Sequence, residues 1–336
     1  MHAEDEPNRA STSDVTLREV LRARERIAPI ARRTPLIHSA ALGERTGTSV
    51  YLKLENIQET GSFKIRGAAN RMLQLTADEK ARGVITVSTG NHGRAVAYVA
   101  GRLGVPAVIC MSKRVPKSKE EAIRALGAEV VLHGQSYDEA ERHSIQLEQE
   151  RGLVRIGAFD DPSIIAGHGT IGLELLEDLR EIDTAIVPLS GGGLISGIAL
   201  ALKSADRTIR VVGVSQDRAP VMFHSLRAGR PIELPEEETL ADALAGGIGL
   251  DNRYTFRMVR QLVDETVLVT EEEITAGIVF AQEQHRLVVE GGGAVGIAAL
   301  LHGRVSPLGR NIAVVVSGGN IALPVLRRLL EGKSTR

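Results

Sequence analysis

The chain is poor in sulfur, has almost no net charge and lacks long apolar runs. It carries one cysteine, Cys110, in 336 residues, so no disulfide can form within it. Cys110 lies in the apolar run Pro106–Met111 and reads as a buried core thiol. A cysteine-poor chain fits a reducing cytoplasm. Lys and Arg number 41 against 42 Asp and Glu, a net charge of −1. No cationic excess is available to neutralise phosphates, which argues against a nucleic-acid or membrane-surface partner. The two signs are interspersed, with no single-sign block. No apolar run reaches the length of a membrane span. The first residues are polar and acidic and lack the layout of a secretion signal; residues 1–13 read as a disordered tail. No internal repeat, low-complexity tract or linker stands out.

What remains is a composition of 43% apolar and 25% charged residues, that of a soluble globular protein, and enough chain for two lobes. Thr16-Leu17-Arg18-Glu19 has the form of a capping box and predicts a helix; Pro29 and Pro35 then break the pattern. From there apolar strands and helices alternate. Strands are predicted at Val50–Leu54, Val84–Ser88, Pro106–Met111, Glu129–His133, Ala185–Leu189, Ile209–Val214, Thr266–Val269 and Ile312–Ser317. Helices are predicted at Ile65–Leu75, His92–Leu103, Lys117–Leu126 and Leu194–Lys203, with a second capping box at Thr270–Glu273 and a short helix after Ser317. Apolar strands without alternation imply parallel sheets covered on both faces. Two such series imply an α/β fold of two lobes, with a ligand cleft at the strand ends.

Three polar turns follow apolar strands. In Ser190-Gly191-Gly192-Gly193-Leu194, before a helix, glycines let backbone N–H groups approach a phosphate, and the helix start adds positive potential. The bland alternative is a tight turn with no ligand, which three adjacent glycines make costly in chain entropy. Ser88-Thr89-Gly90-Asn91-His92 offers hydroxyls, an amide and an imidazole at another helix start, which suits a carboxylate; the alternative is a well-capped helix. Ser317-Gly318-Gly319-Asn320 offers a hydroxyl for a ring nitrogen, though such turns are common. Lys64 stands at a helix start, opposing the helix dipole. A nucleophilic lysine must lose its proton, and burial in positive potential lowers its pKa. Phe63 beside it offers a surface for a planar ring. Alone, Lys64 reads more readily as a surface lysine lying over Phe63.

Together and in this order these elements resemble the fold-type II pyridoxal-phosphate enzymes, namely the threonine and serine dehydratases and serine racemase. The resemblance runs from Thr16 to Leu330. It rests on Thr34-Pro35-Leu36, Ser62-Phe63-Lys64-Ile65-Arg66-Gly67-Ala68, Gly90-Asn91-His92, Phe159-Asp160-Asp161-Pro162 with Ile165-Ala166-Gly167, the glycine tract and Ser317-Gly318-Gly319-Asn320. It implies a tryptophan synthase β-like architecture. Residues 14–75 with 157–332 would form a large cofactor domain, and 76–156 a small substrate-gating domain. It implies pyridoxal 5'-phosphate as cofactor, with Lys64 as its Schiff-base lysine and Phe63 near its ring. Asn91 would bond its phenolic oxygen, and Ser190, Gly191, Gly192, Gly193 and Leu194 would hold its phosphate. Ser317 would face its pyridine nitrogen. Ser88, Thr89, Gly90, Asn91 and His92 would hold the substrate carboxylate. The reaction implied is β-elimination from a small hydroxy amino acid, giving a 2-oxo acid and ammonia, by a cytoplasmic homodimer.

The sequence also departs from the pattern. Thr89 stands where racemases of the family place a serine that protonates the substrate's opposite face, which favours elimination over racemisation. Val214-Ser215-Gln216 stands where many relatives read Val-Glu-Pro, whose glutamate helps bind a divalent cation in some members; Ser215 has no carboxylate, so that metal site is expected to be absent. Asp217 reads as a surface residue. Glu290-Gly291-Gly292-Gly293-Ala294, Asp242-Ala243-Leu244-Ala245-Gly246-Gly247 and His168 also differ from the usual residues. In these the chain looks similar to the dehydratases of hydroxyectoine utilisation, which act on a hydroxylated diamino acid or its derivative. The chain's end leaves no room for the regulatory domain of biosynthetic threonine dehydratases.

Other readings stay open. A nicotinamide-dependent dehydrogenase would use the glycine tract with Asp217, but the glycines are contiguous rather than spaced as G-x-G-x-x-G. A non-catalytic ligand-binding protein on the same scaffold is another. A racemase or β-replacement enzyme would keep the cofactor.

Overall fold

The computed structural model describes residues 15–88, 90–115 and 117–332. The tail expected over 1–13 and Thr89 lie outside the described residues. In chain order the elements are α1 (Leu17–Ile27), β1 (Leu36–His38), α2 (Ala40–Thr46), β2 (Ser49–Leu54), α3 (Lys64–Met72), α4 (Ala77–Arg82), β3 (Val84–Val87) and α5 (Asn91–Leu103). Next come β4 (Ala107–Met111), α6 (Lys117–Arg124), β5 (Glu129–Leu132), α7 (Tyr137–Arg151), β6 (Val154–Arg155), α8 (Pro162–Asp178), β7 (Thr184–Pro188) and α9 (Gly193–Ala205). The chain continues with β8 (Arg210–Gln216), α10 (Val221–Ala228), α11 (Thr255–Leu262), β9 (Glu265–Val269), α12 (Glu271–His285), α13 (Gly291–Leu301), β10 (Asn311–Val316) and α14 (Leu323–Leu330).

The strands form two sheets, a six-stranded one in the order β1-β2-β10-β7-β8-β9 and a four-stranded one in the order β5-β4-β3-β6. Pairings are parallel throughout, except that β1 runs antiparallel to β2. β3, β4 and β7 are buried along their whole length, which explains their unbroken apolar sequences. Alternate residues of the large sheet enter different cores. Val212, Val214, Val314 and Val316 pack with Ile278 of α12 and Val295 of α13. Val211, Ala313 and Val315 pack with Ile195 and Ile198 of α9. Both faces are therefore covered, as in other doubly wound sheets.

α3 joins the two halves. Its Ile65, Ala68, Ala69 and Met72 enter one core with Val84 of β3 and Ile109 of β4, and its far side packs on α8. The approach is close. A Cβ on Gly167 of α8 would lie 2.5 Å from the Arg66 carbonyl oxygen, and one on Gly197 of α9 would lie 2.3 Å from that of Ile165. The glycines let these three helices pack backbone to backbone.

Some local expectations need correction. At Thr16 only half of a capping box forms: the Thr16 hydroxyl accepts from the Glu19 N–H, while the Glu19 carboxylate meets that hydroxyl instead of the Thr16 backbone. The box at Thr270–Glu273 is complete. Helix α3 ends at Met72, short of Leu75. α9 begins one residue earlier than predicted, at Gly193. Cys110 is buried and Asp217 exposed, as read from sequence.

Candidate active site

Because β10, β7 and β2 are parallel neighbours, the turns after β7 and β10 emerge at one edge of the large sheet. The segment before Lys64 is stitched to the turn after β10. Ser62 bridges Gly318, the Phe63 N–H donates to the Ser317 carbonyl at 3.0 Å, and the Gly319 N–H donates to the Gly61 carbonyl at 2.9 Å. Lys64 and Ser317 thus share one backbone pairing. Gly61 makes the bend in left-handed backbone, φ 74°, which favours glycine.

Lys64 opens α3, where its positive end is disfavoured by the dipole. Its Nζ donates to the Ala158 carbonyl at 2.7 Å and lies 5.2 Å from the centre of the Phe63 ring. No carboxylate among the described residues pairs with it. Burial alone pulls its pKa down to about 8, so a useful fraction is neutral near physiological pH. A neutral lysine amine is a nucleophile and a base.

The turn after β7 forms a backbone cradle. Gly192 has φ 86°, reserved in practice for glycine. A Cβ on Gly191 would strike the Phe159 ring at 2.4 Å, and one on Gly193 the Phe159 carbonyl at 2.8 Å. The N–H groups that open α9 have no intrahelical acceptor, and they concentrate positive potential. Ser190 is partly exposed and Leu194 buried.

In the turn after β3, the Ser88 hydroxyl accepts from the Gly90 N–H at 3.3 Å. A Cβ on Gly90 would meet nothing within 4 Å, so Gly90 borders open space. Asn91 begins α5 and is tied to the turn after β10 by the Asn320 side chain, whose Nδ2 donates to Asn91 Oδ1 at 2.6 Å. His92 is buried, and its Nε2 lies 3.1 Å from the Ile156 carbonyl. That partner makes Nε2 the protonated nitrogen and leaves Nδ1 as a lone pair without a partner among the described residues. Burial, then the nearby Lys64 charge, push His92 down to about 3, so it stays neutral. The Ser317 hydroxyl makes only a 3.3 Å bond to the Gly292 carbonyl.

Two features were seen in the sequence without their role in the site. One segment, Ile156–Asp160, touches Lys64, His92 and the glycine turn. It supplies carbonyls to His92 and Lys64, the Phe159 wall of the cradle, and the Asp160 carboxylate. That carboxylate accepts the N–H groups of Arg253, Tyr254 and Thr255 at 2.7, 2.9 and 2.8 Å. The second is Glu290, whose Oε1 accepts from Asn91 Nδ2 at 2.6 Å. Burial first, then Asp242, raise Glu290 to about 7. Behind the site His168 sets its ring edge-on to Phe63, centroids 4.7 Å apart. Gly67 makes room for it, since a Cβ there would lie 2.5 Å from His168 Nε2. Burial, then the Lys64 charge, hold His168 well below its ordinary pKa.

These residues fit pyridoxal phosphate. They combine an amine of low pKa with no acid beside it, a glycine cradle for an anion, and buried polar atoms at Ser62 Oγ and His92 Nδ1 that lack partners among the described residues. Unsatisfied buried groups are rare and mark a ligand or water site.

Comparison with known proteins agrees. The family model for pyridoxal-phosphate-dependent enzymes matches residues 27–318, and the chain belongs to that family. It is a pyridoxal-phosphate-dependent lyase of the dehydratase kind. A Sinorhizobium fredii protein whose name carries the words threonine dehydratase is 49% identical over 320 residues, covering 95% of this chain and 96% of its own. The L-threonine ammonia-lyase of Thermotoga maritima is 43% identical over 317 residues, covering 94% of this chain and 78% of its own. The structure of maize serine racemase superposes with a TM-score of 0.89 at 36% identity, covering 95% of this chain and 98% of that one. The fold-type II architecture read from the sequence is thereby borne out. No helix of the described residues is long and apolar enough to cross a membrane.

Proposed function

We propose that the chain eliminates a β-hydroxyl from a hydroxylated amino acid, and that its substrate is a hydroxylated diamino acid or a derivative of one, as in hydroxyectoine utilisation. The observation that carries the elimination chemistry is Lys64, a half-buried side chain whose amine has its pKa lowered to about 8 by desolvation and is held by a carbonyl and by no acid among the described residues. Bound there, the cofactor supplies an electron sink for the substrate's α-carbon. Lys64 would hold it covalently and, as a neutral amine, would take the substrate's α-proton as general base. The N–H groups of Gly191, Gly192, Gly193 and Leu194, with Ser190, would hold its phosphate. Asn91 would bond its phenolic oxygen and Ser317 its pyridine nitrogen, with Phe63 against its ring. Ser88, Thr89, Gly90, Asn91 and His92 would hold the substrate carboxylate, Asn91 and His92 through their backbone N–H groups at the start of α5, since the His92 ring turns only a lone pair inward. The hydroxyl leaves with a proton as water, and water then releases ammonia and the 2-oxo acid.

The diamino substrate is supported by the altered segments Asp242–Gly247 and Glu290–Ala294, which meet at the site's rim. There a Cβ on Gly292 would lie 3.3 Å from both Ala243 and Leu244. The homodimer and cytoplasmic setting of the family go with the same reading. The test is a screen of threonine, serine and hydroxylated diamino acids for 2-oxo acid release, with Lys64→Ala as control. Preference for a diamino acid over threonine is expected. Release from threonine or serine alone would sink the substrate proposal, and activity in Lys64→Ala would sink the mechanism.

A further inference from the structure

Glu290 stands at the N-cap of α13, yet its side chain caps nothing there. It is 5% exposed, and among the described residues no Lys or Arg lies within ion-pair distance. A buried carboxylate with neither role needs another explanation, because hiding the charge is costly. Its two oxygens reach across the fold. Oε1 accepts from Asn91 Nδ2 at 2.6 Å, and Oε2 accepts the Asn320 N–H at 3.1 Å. Asn320 completes a ring of bonds. Its Nδ2 donates to Asn91 Oδ1 at 2.6 Å and to the Thr60 carbonyl at 2.9 Å. Its own Oδ1 accepts from Arg94 at 2.6 Å.

The ring determines how the Asn91 amide is turned. Its oxygen faces a donor and its nitrogen faces a carboxylate, so a flipped amide would set donor against donor and acceptor against acceptor. One N–H of Asn91 is taken by Glu290, and the other has no acceptor among the described residues. Gly318 belongs to the same arrangement, since a Cβ there would lie 2.2 Å from Glu290 Oε1. The glycine in the turn after β10 is what lets the carboxylate reach Asn91.

We infer that Glu290 is a positioning residue: it locks the Asn91 amide so that its free N–H is presented to the cofactor. This rests on the cofactor roles proposed above. The charge exists to orient a neutral donor, and it acts on the reaction only through Asn91. In Glu290→Gln one of the two acceptor oxygens becomes an N–H that faces a donor, and because Asn320 holds the other side of the Asn91 amide, opening the ring at either bond releases that amide.

The test is a double-mutant cycle on the holoenzyme. Wild type, Glu290→Gln, Asn91→Ala and the double variant are titrated with pyridoxal 5'-phosphate, following the visible absorption of the bound cofactor and its dissociation constant. Glu290→Gln is expected to shift the absorption maximum and weaken cofactor binding about tenfold, the loss of one hydrogen bond. In the Asn91→Ala background the same change is expected to do neither. An unchanged spectrum and affinity in Glu290→Gln would overturn the inference. So would an equal effect in both backgrounds, which would make Glu290 a structural residue acting independently of Asn91. Glu290→Asp, one methylene shorter, serves as a second variant should Glu290→Gln not fold, with the same expected result. A wild-type protein that takes up no pyridoxal phosphate would overturn the cofactor reading itself, an outcome distinct from a variant that matches a cofactor-binding wild type.

Discussion

Lys53 and Lys64 sit close together in the chain, and the fold treats their amines in opposite ways. Lys53 is 0% exposed. Its Nζ lies 2.6 Å from the Glu174 carboxylate and 2.6 Å from the Thr34 carbonyl. Arg66 completes the cluster, gripping Glu55 through two bonds of 2.8 Å and Glu174 through bonds of 2.6 and 2.9 Å. Two buried cations and two buried carboxylates balance. Lys64 has only a carbonyl. The comparison teaches that burial by itself does not make a nucleophile. Lys53, hidden among carboxylates, ties β2 to α8, whereas Lys64, with no acid beside it, has its pKa pulled down to about 8.

The largest effect expected from breaking this contrast is on turnover. Lys64→Ala should lose at least about a thousandfold in 2-oxo acid release while keeping its fold. The depressed pKa strains the folded state. Between about 8, its folded value, and the ordinary lysine value, the unfolded chain binds more protons. Lys64 therefore makes wild-type stability rise with pH in that window, and Lys64→Ala should remove that slope from the urea midpoint.

The next effect is on stability. Arg66→Met leaves the buried Glu55 without its ion-pair partner and should cost about 3–5 kcal/mol in urea unfolding, whereas Lys53→Met leaves Glu174 still held by Arg66 and should cost less. Turnover per folded molecule of Lys53→Met should stay within a few-fold of wild type. A loss under 1 kcal/mol in both would mean that water reaches the cluster.

A third prediction concerns cofactor uptake. Only the neutral amine attacks the aldehyde, so the rate at which apoprotein takes up pyridoxal phosphate should rise about tenfold per pH unit below the Lys64 pKa and level off above about 8. A rate still climbing at pH 10 would mean an ordinary lysine. The smallest effect is at the back of the site. His168→Gln removes the edge-on contact with Phe63 and should cost about 0.5–1.5 kcal/mol, read from the thermal midpoint.

What the sequence made legible was whatever is local. The three turns, Lys64 and the strands before them announce themselves through apolar runs that end in Gly, Ser or Asn. α8 did not. Its sequence carries Gly167, Gly169 and Gly172, which lower helix propensity, and tertiary packing overrides that preference. A Cβ on Gly172 would lie 2.9 Å from the Ile198 carbonyl, so the glycines serve helix contact. α13 likewise starts in three glycines. There a Cβ on Gly291 would meet the Leu240 carbonyl at 2.1 Å, and one on Gly293 the Gly318 carbonyl at 2.4 Å. Of the two glycine triplets, one opens a cradle and the other closes a packing gap, and their composition is identical. The antiparallel edge strand β1 is too short to show a period. The Lys53–Arg66 cluster and the Glu290–Asn91 bond join residues far apart in the chain, and no spacing rule connects them.

The most direct measurement traps the covalent bond. Holoprotein is reduced with borohydride, digested, and the peptides are mapped for the reduced cofactor. The label is predicted on Lys64, with Lys53 and the remaining lysines unmodified. Label on Lys53, or on no lysine, would contradict the account.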